Sequence, residues 1–255
     1  VSIDELIAIK YTLNKLRNSY FEGKVCALDK FFDFMNSFYN EKDIDLSDVN
    51  RISKILGVDF DLTDDQINAI MDITSDLLLE KKMSRLLQGD VGSGKTIVAL
   101  ITSVLVVASG YQVAILAPTE ILAEQHYNTF VKILNNGIKS TENPFKIVLI
   151  TGKTKRKNTL YKCIKNNEFN IIIGTHALIE DSVEFFNLGY VIIDEQHKFG
   201  VIQRNKLKNK EPKANVLYMS ATPIPRTLMK ILNNDMEISY IKQKPKRKEI
   251  TDVNI

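Results

Sequence analysis

Residues 89–96 read Gly-Asp-Val-Gly-Ser-Gly-Lys-Thr, a complete phosphate-binding loop of the pattern G-x-x-x-x-G-K-[ST]. Glycine lets backbone N–H groups close around phosphate oxygens where a Cβ atom would clash. Lys95 can reach the β- and γ-phosphates of a nucleoside triphosphate, and the Thr96 hydroxyl can ligate Mg²⁺. The apolar flanks predict a strand before the loop and a helix after it, which favours nucleotide binding over a chance glycine-rich turn. The predicted nucleotide-binding residues here are Gly89, Asp90, Val91, Gly92, Ser93, Gly94, Lys95 and Thr96.

An acidic pair, Asp194 and Glu195, follows the apolar run 191–193. Asp194 is predicted to hold Mg²⁺ through water, as the acidic partner of a phosphate loop does. Glu195 is then placed to orient or deprotonate the attacking water. An acidic pair at a strand end is common by chance, but downstream of a phosphate loop it favours catalysis.

Two further polar groups belong with this chemistry. Gln66 has an amide that can donate to and accept from an adenine edge, and Phe60 and Thr63 precede it in the same segment. Thr63 is also a good helix N-cap, and both interpretations can hold together. Ser220-Ala221-Thr222 follows another apolar run, and we expect its hydroxyls to bond to the Asp194–Glu195 strand end and couple nucleotide state to the neighbouring chain. Taken alone, this segment is also an ordinary polar strand exit.

The elements that must position these residues alternate between short apolar strands and longer helices. The runs are continuous in Ile, Val and Leu, as strands buried on both faces of a parallel sheet require. The sequence therefore predicts an α/β fold with a mostly parallel central sheet flanked by helices, with its ligands at the carboxyl ends of the strands. The predicted strands are 85–88, 113–117, 147–150, 171–173, 191–193 and 216–219, and the predicted helices are 97–109, 120–135 and 157–166.

Composition narrows the class of protein. The chain has 255 residues, 44% of them hydrophobic, which suffices for one large domain or two small ones. A net charge of +3 does not by itself indicate a nucleic-acid binder. Cys26 and Cys163 lie far apart, which favours two reduced thiols over a disulfide framework or a zinc site. No uninterrupted apolar stretch reaches the length of a membrane span, and the acidic start is no signal peptide, so we expect a cytoplasmic protein.

Three regions are predicted along the chain. Apolar residues recur at helical spacing in 1–58, which indicates a helical segment. Residues 59–240 contain the alternating strands and helices. Residues 241–255 are predicted to be a basic linker, and contact of this segment with nucleic acid is the weaker alternative. The chain does not begin with Met, which suggests a fragment.

Five blocks in this order resemble the first motor domain of superfamily 2 helicases, which is RecA-like. Within them the chain resembles the RecG branched-DNA helicases and their relative, the transcription-repair coupling factor; the Asp-Glu-Gln-His-x-Phe-Gly-Val pattern favours RecG. Lys198 departs from the usual Arg, which keeps the charge but loses the bidentate fork. The segment at residues 4–8 also resembles the linker helix that follows the wedge domain of RecG. The blocks are 89–96, 117–126 (Ala-Pro-Thr-Glu-Ile-Leu-Ala-Glu-Gln-His), 173–177 (Ile-Gly-Thr-His-Ala), 194–201 and 220–228 (Ser-Ala-Thr-Pro-Ile-Pro-Arg-Thr-Leu).

The resemblance assigns further roles. Gln196 and His197 join the catalytic block, with His197 as a coupling group between nucleotide and DNA sites rather than a metal ligand. We expect His126 to be a packed or surface residue rather than a ligand. Hydroxyls and helix N-terminal amides at strand ends are typical phosphate contacts, although Thr119 and Thr175 could simply cap helices. The implied DNA-backbone contacts are Pro118, Thr119, Glu120, Thr151, Gly152, Gly174, Thr175 and His176, with a basic loop at 153–157 that could add phosphate affinity.

The implied activity is that of an ATP- and Mg²⁺-dependent 3′–5′ DNA helicase acting on forks and Holliday junctions in recombination and repair. The implied partners are branched DNA and, within a longer chain, a second motor domain and a wedge domain, with a monomer as the default. A fragment without the second motor domain and its arginine finger is expected to bind nucleotide weakly, hydrolyse it poorly and not unwind DNA. The alternatives are a coupling-factor motor domain, a non-catalytic nucleotide- or DNA-binding module, and a metabolic kinase.

Overall fold

The structure, a computed structural model, describes residues 61–77, 81–137, 145–195, 214–222 and 236–245, together with Ser53, Val58 and Leu79. In chain order the helices and strands of this part are α1 (Asp64–Leu77), β1 (Ser84–Gly89), α2 (Lys95–Ala108), β2 (Gln112–Leu116), α3 (Glu120–Gly137), β3 (Ile147–Ile150), α4 (Lys157–Lys165), β4 (Ile171–Gly174), a short 3-10 helix (His176–Ile179), β5 (Leu188–Ile193), β6 (Asn215–Ser220) and β7 (Glu237–Ile241).

The strands form one seven-stranded sheet in the order β3-β4-β2-β5-β6-β1-β7. Every neighbouring pair in this sheet is parallel. All carboxyl ends of the strands therefore meet at one edge of the sheet, where open α/β sheets bind their ligands. The α/β fold with a parallel central sheet, predicted from the alternation of elements, is confirmed.

The two faces of the sheet are covered by different helices, because successive strand residues point to opposite sides. On one face α1, α2 and α3 pack over side chains such as Leu87, Ile115 and Ile192. On the other face α4 and the 3-10 helix cover β3 and β4 at residues such as Ile150 and Ile172. The central strands β2 and β5 are buried almost throughout, which explains their uninterrupted apolar sequences.

β7 was not predicted from the sequence. It pairs with β1 at the edge of the sheet, and its burial alternates, with Ser239 and Ile241 inside and Tyr240 outside. The buried Arg85 of β1 helps to hold it, because its guanidinium donates to the Ser239 hydroxyl at 2.9 Å and to Asp76 of α1 at 2.8 Å. β7 thus joins the sheet partly through polar contacts, which an apolar run would not reveal.

The predicted strand and helix bounds agree with the structure to within one to three residues. Strand 147–150 matches β3 as predicted, whereas β5 begins at Leu188 rather than at residue 191. The predicted helical segment at 1–58 and the basic linker beyond residue 245 lie outside the described residues, apart from Ser53 and Val58.

Candidate functional site

The carboxyl edge of the sheet divides into two halves that carry different side chains. β1 ends at the phosphate-binding loop and β5 ends at Asp194 and Glu195, while β6 ends at Ser220. The strands β2, β3 and β4, next to each other in the other half, end at the residues that resemble DNA contacts. Proposed nucleotide and nucleic-acid residues are therefore neighbours along one edge.

The phosphate-binding loop adopts a conformation that requires its glycines. Gly92 and Gly94 have φ values of 79° and 87°, in the left-handed region that L side chains rarely adopt. A Cβ atom on Gly94 would also overlap the side-chain amide of Gln66. Helix α2 begins at Lys95, directly after the loop, so its N-terminal amides and positive dipole end lie at the loop.

The loop also has the features that a phosphate group needs. A Cβ atom on Gly89 would lie 2.7 Å from Ser93 Oγ and 2.8 Å from the Ile241 carbonyl, so this close approach tolerates only glycine. The Ser93 hydroxyl is buried and has no hydrogen-bond partner among the described residues. A glycine cradle with an unsatisfied hydroxyl at a helix N-terminus fits a bound phosphate.

Lys95 is the first residue of α2, and its side chain reaches back to the loop. Its ammonium donates to the carbonyl oxygens of Gly89 and Asp90, the second at 3.0 Å. Burial lowers the pKa of Lys95, and the charges of Asp194, Glu195 and Asp90 oppose that shift. The lysine of the loop and the acidic pair of β5 therefore lie within electrostatic reach of one another, as a site for Mg²⁺ and triphosphate requires.

The acidic pair is held rigidly at the end of β5. Asp194 is buried, and its backbone N–H donates to the Leu116 carbonyl of β2 at 2.9 Å. Its Oδ1 atom accepts the backbone N–H of Glu195 at 2.9 Å, and Glu195 itself has a left-handed φ of 48°. The chain thus leaves the extended conformation directly after Asp194.

His126 of α3 contacts this acidic pair. Its Nε2 atom lies 2.7 Å from Asp194 Oδ2, and both side chains are about 90% buried or more. The prediction that His126 is a packed or surface residue is confirmed in its first form, since the side chain is buried. The partner was missed, because the two residues lie 68 positions apart and only the fold brings them together.

Thr63 and Gln66 form a reciprocal cap at the start of α1. The Gln66 backbone N–H donates to Thr63 Oγ1 at 3.3 Å, and the Thr63 backbone N–H donates to Gln66 Oε1 at 2.9 Å. The fully buried Gln66 side chain also donates from Nε2 to the Ser93 carbonyl at 2.8 Å. The N-cap role of Thr63 is present, and Gln66 is tied to the phosphate loop, while its contact with adenine stays a prediction.

The segment after β7 lies against the same loop. Asp65 accepts the backbone N–H groups of Lys242 and Gln243, both at 2.8 Å. A Cβ atom on Gly94 would lie 3.9 Å from Pro245 Cγ. Asp65 therefore fixes the exit of β7 beside the phosphate loop, a contact for which the sequence carries no local signal.

The Ser220–Thr222 segment makes local hydrogen bonds at the end of β6. Ser220 Oγ donates to the Thr222 carbonyl at 3.1 Å and accepts the Thr222 backbone N–H at 3.3 Å. A serine two residues before a turn commonly makes this short-range contact. The predicted bond from these hydroxyls to the Asp194–Glu195 strand end stays a prediction. Ala221 lies between them, and the coupling role of this segment stays a prediction.

Pro118, Thr119 and Glu120 form the entry to α3 at the end of β2. Thr119 accepts the Leu122 backbone N–H at 3.3 Å, so it is the N-cap of the helix. Thr119 is also exposed, which leaves its hydroxyl accessible to a ligand.

Glu120 joins this entry to the end of β3. Its carboxylate accepts the Lys153 ammonium at 2.9 Å and the Lys153 backbone N–H at 3.3 Å. A Cβ atom on Gly152 would lie 2.9 Å from Glu120 Oε1, and Thr151 is buried beside it. The structure thus brings these predicted DNA contacts together, with the carboxylate engaged by Lys153.

The third segment of this half follows β4. A Cβ atom on Gly174 would overlap the Ile150 carbonyl, so only glycine allows β4 and the end of β3 to approach this closely. Thr175 is buried, and its hydroxyl makes no hydrogen bond within the described residues, neither as a helix cap nor elsewhere. His176, in contrast, is exposed, so it rather than Thr175 presents its side chain to solvent.

The remaining predicted site residues, Phe60, Gln196 and His197, lie outside the described residues. Within the described ranges, no cluster of three or more His, Cys, Asp or Glu side chains could hold a metal ion by itself. The predicted roles of Thr96 and Asp194 at a Mg²⁺ ion, which usually keeps water and phosphate oxygens among its ligands, stay predictions. None of the described helices has the length and apolar character to cross a membrane.

Comparisons with known proteins agree with this arrangement. The family model described as DEAD/DEAH box helicase matches residues 63–231. The ATP-dependent DNA helicase RecG of Aquifex aeolicus (strain VF5) is 52% identical over 197 residues, which cover 75% of this chain and 24% of that protein. The RecG of Borreliella burgdorferi is 42% identical over 241 residues, 92% of this chain and 34% of that protein.

Solved structures give the same result. The structure of RecG bound to a three-way DNA junction matches with a TM-score of 0.63 and 32% identity, over 94% of this chain and 32% of that one. A DEAD box protein from Methanococcus jannaschii matches with a TM-score of 0.56 and 25% identity, over 80% of this chain and 56% of that one. The chain spans about a quarter to a third of the length of these two RecG sequences. It belongs to the DEAD/DEAH box helicase family, and the part of the helicase motor that it spans is RecG-like.

Proposed function

We propose that this chain is the ATP-binding half of a DNA helicase motor that remodels branched DNA. The observation that carries the proposal is the divided carboxyl edge of the sheet, with a phosphate loop and acidic pair on one side and the β2, β3 and β4 termini on the other. Nucleotide chemistry and DNA contact can then influence one another through a single rigid sheet.

In this proposal the loop from Gly89 to Gly94 holds the phosphates through backbone amides and the N-terminus of α2. Lys95 supplies positive charge to the β- and γ-phosphates. The Thr96 hydroxyl would ligate the metal ion, and Asp194 would hold it through water. Mg²⁺, when bound, neutralises charge that develops on the phosphate oxygens. Glu195 orients the attacking water and accepts its proton, with Gln196 and His197 completing the catalytic block.

The other half of the edge binds the DNA backbone. Thr119 and His176 are exposed there, and the Lys153 ammonium lies at the same edge. Such contacts fix the position of DNA without reading its sequence. Glu120 contributes by holding the loop 151–153 through Lys153, because a carboxylate alone would repel a phosphate.

The DNA class is proposed from the RecG relatives, one of which was solved on a three-way junction. Forks and Holliday junctions in recombination and repair are the expected substrates, and the protein acts as a cytoplasmic monomer. A second motor domain and a wedge domain are the expected partners in the complete protein. The chain by itself hydrolyses ATP poorly and does not unwind DNA, because an arginine finger is worth about 10³–10⁵-fold in rate.

The test is ATP turnover by the complete protein that carries this chain, with and without a synthetic fork, comparing the unsubstituted protein with Glu195→Gln. We expect fork-stimulated turnover that is lost in Glu195→Gln, while nucleotide binding persists. Glu237→Gln is the matched control, because this exposed carboxylate starts β7 at the opposite edge of the sheet. A rate of ATP hydrolysis that is unchanged by the fork would overturn the helicase proposal. A rate that is unchanged in Glu195→Gln would overturn the proposed role of Glu195.

A further inference from the structure

The contact between His126 and Asp194 joins the two halves of the carboxyl edge. His126 Nε2 lies 2.7 Å from Asp194 Oδ2, and the imidazole belongs to α3 whereas the carboxylate follows β5. Both side chains are buried. A buried carboxylate needs hydrogen-bond donors, and the two Asp194 oxygens receive theirs from His126 and from the Glu195 backbone.

Helix α3 carries this contact to the nucleic-acid half. The helix begins at Glu120, whose carboxylate holds Lys153, and Thr119 caps it. His126 lies six positions after Glu120, or about 9 Å along a helix axis. α3 also packs on β3 and β4, the strands that end at Thr151 and Gly174. One rigid helix therefore touches both the proposed DNA contacts and the proposed metal-holding carboxylate.

We propose that His126 is a positioning residue for Asp194 and that, through it, α3 links DNA binding to Mg²⁺–nucleotide binding. This inference rests on the proposed function. A shift of α3 caused by DNA would move His126, the donor that orients Asp194. Conversely, a shift of Asp194 on binding of Mg²⁺ and nucleotide would change the position of His126 and therefore of α3. Linkage requires that each ligand then changes the affinity for the other by the same factor. The histidine acts by position alone and needs no change in protonation.

The simpler alternative is that His126 only satisfies a buried carboxylate. That role would affect the stability of the fold, but it predicts no change in how strongly DNA and Mg²⁺–nucleotide alter each other's affinity. The Gln side chain separates the two roles, because its Nε2 atom can occupy the place of the imidazole Nε2 and still donate to Asp194. Leu fills a similar space without a donor.

The experiment measures binding of a fluorescent ATP analogue to the complete protein, with Mg²⁺ and with EDTA, in the presence and absence of a fork. The variants are His126→Leu and His126→Gln, and Asn128→Leu is the control on an exposed position of α3. We expect His126→Leu to weaken the Mg²⁺-dependent part of the nucleotide affinity about tenfold, as the loss of an outer hydrogen bond at a metal site does. The same substitution should remove most of the effect of DNA on nucleotide affinity. His126→Gln restores both.

Equal Mg²⁺ dependence and equal DNA effect in His126→Leu and the unsubstituted protein would overturn the inference. So would a loss that His126→Gln fails to repair while its thermal unfolding is unchanged. If the unsubstituted protein binds fork and nucleotide without mutual effect, the link is refuted and the binding part of the proposed function stands. If it binds neither, the proposed function itself has failed.

Discussion

Gln66 donates its side-chain amide to the carbonyl of Ser93 at 2.8 Å, so the first helix of the fold holds the phosphate-binding loop directly. The same side chain accepts the Thr63 backbone N–H, and it is completely buried. Its position explains why Gly94 cannot carry a Cβ atom, since that atom would overlap the amide. The helix start and the loop thus form one unit.

Gln66→Ala tests whether the phosphate-binding loop depends on this contact with α1. The substitution leaves the buried Ser93 carbonyl and Thr63 N–H without partners, and each unsatisfied group costs about 1–3 kcal/mol. We expect a lower melting temperature and a weaker rise of that temperature on adding ATP, both measured by differential scanning fluorimetry. Asn68→Ala, on an exposed face of α1, is the control. Unchanged stabilisation by ATP in Gln66→Ala would show that the loop does not need this support.

Lys95→Ala tests the charge in the loop. Burial lowers the pKa of Lys95, so its ammonium is held in the loop at a cost that nearby carboxylates offset in part. We therefore expect Lys95→Ala to leave the nucleotide-free protein at least as stable in urea, while removing most of the stabilisation that ATP gives. A large loss of stability without nucleotide would contradict this, because it would make the lysine a structural rather than a ligand-binding group.

The phosphate loop and most strands could be predicted because their signals are local. The loop needs glycine and lysine at fixed spacing, and strand 147–150 is a bare apolar run. β7 is not predicted from the sequence because it is a short edge strand with alternating burial, in which Glu237 and Tyr240 are exposed. The alternation Glu-Ile-Ser-Tyr-Ile was its only sequence signal, and it is typical of many exposed segments.

The contacts that organise the site could not be predicted, because they join residues far apart in the chain. His126 meets Asp194 only when β2 and β5 are neighbours, and Asp65 meets Lys242 only when β7 lies beside β1. The Ser220 hydroxyl, in contrast, accepts the backbone N–H of Thr222, only two residues away, which is a local contact common for serine.

Arg85 provides a test of how β7 is held. Its guanidinium is buried and donates to Asp76 and Ser239, and Ser239 in turn donates to Asp72 at 2.7 Å. Arg85→Leu would leave these groups without their shared donor, so we expect a loss of about 1–3 kcal/mol in the free energy of unfolding by urea. Lys81→Leu, at an exposed position near the start of β1, should change it by less than about 0.5 kcal/mol. Equal effects of the two substitutions would mean that this network contributes nothing specific.

The ion pair between Glu120 and Lys153 predicts a pH dependence at the nucleic-acid half. The hydrogen bond from Lys153 is the main cause that holds the pKa of Glu120 below its usual range, and Glu120 correspondingly raises the pKa of Lys153. The ionised carboxylate is therefore favoured in the folded chain. Its stabilising effect is present above the unfolded-state pKa of about 4.3 and is lost as the pH falls through the lower folded-state value.

We expect the carboxyl carbon of Glu120, followed by NMR in a pH titration, to report a pKa below that of a free glutamate. Lys153→Gln should raise it towards the ordinary value, because the charged donor is gone, and added salt should act in the same direction by screening an exposed pair. Lys155→Gln, which removes an exposed charge two residues further on, should leave the titration unchanged. If Lys153→Gln and Lys155→Gln shift the titration equally, the effect comes from the general basic character of the loop, and Glu120 does not hold the end of β3 in place through Lys153.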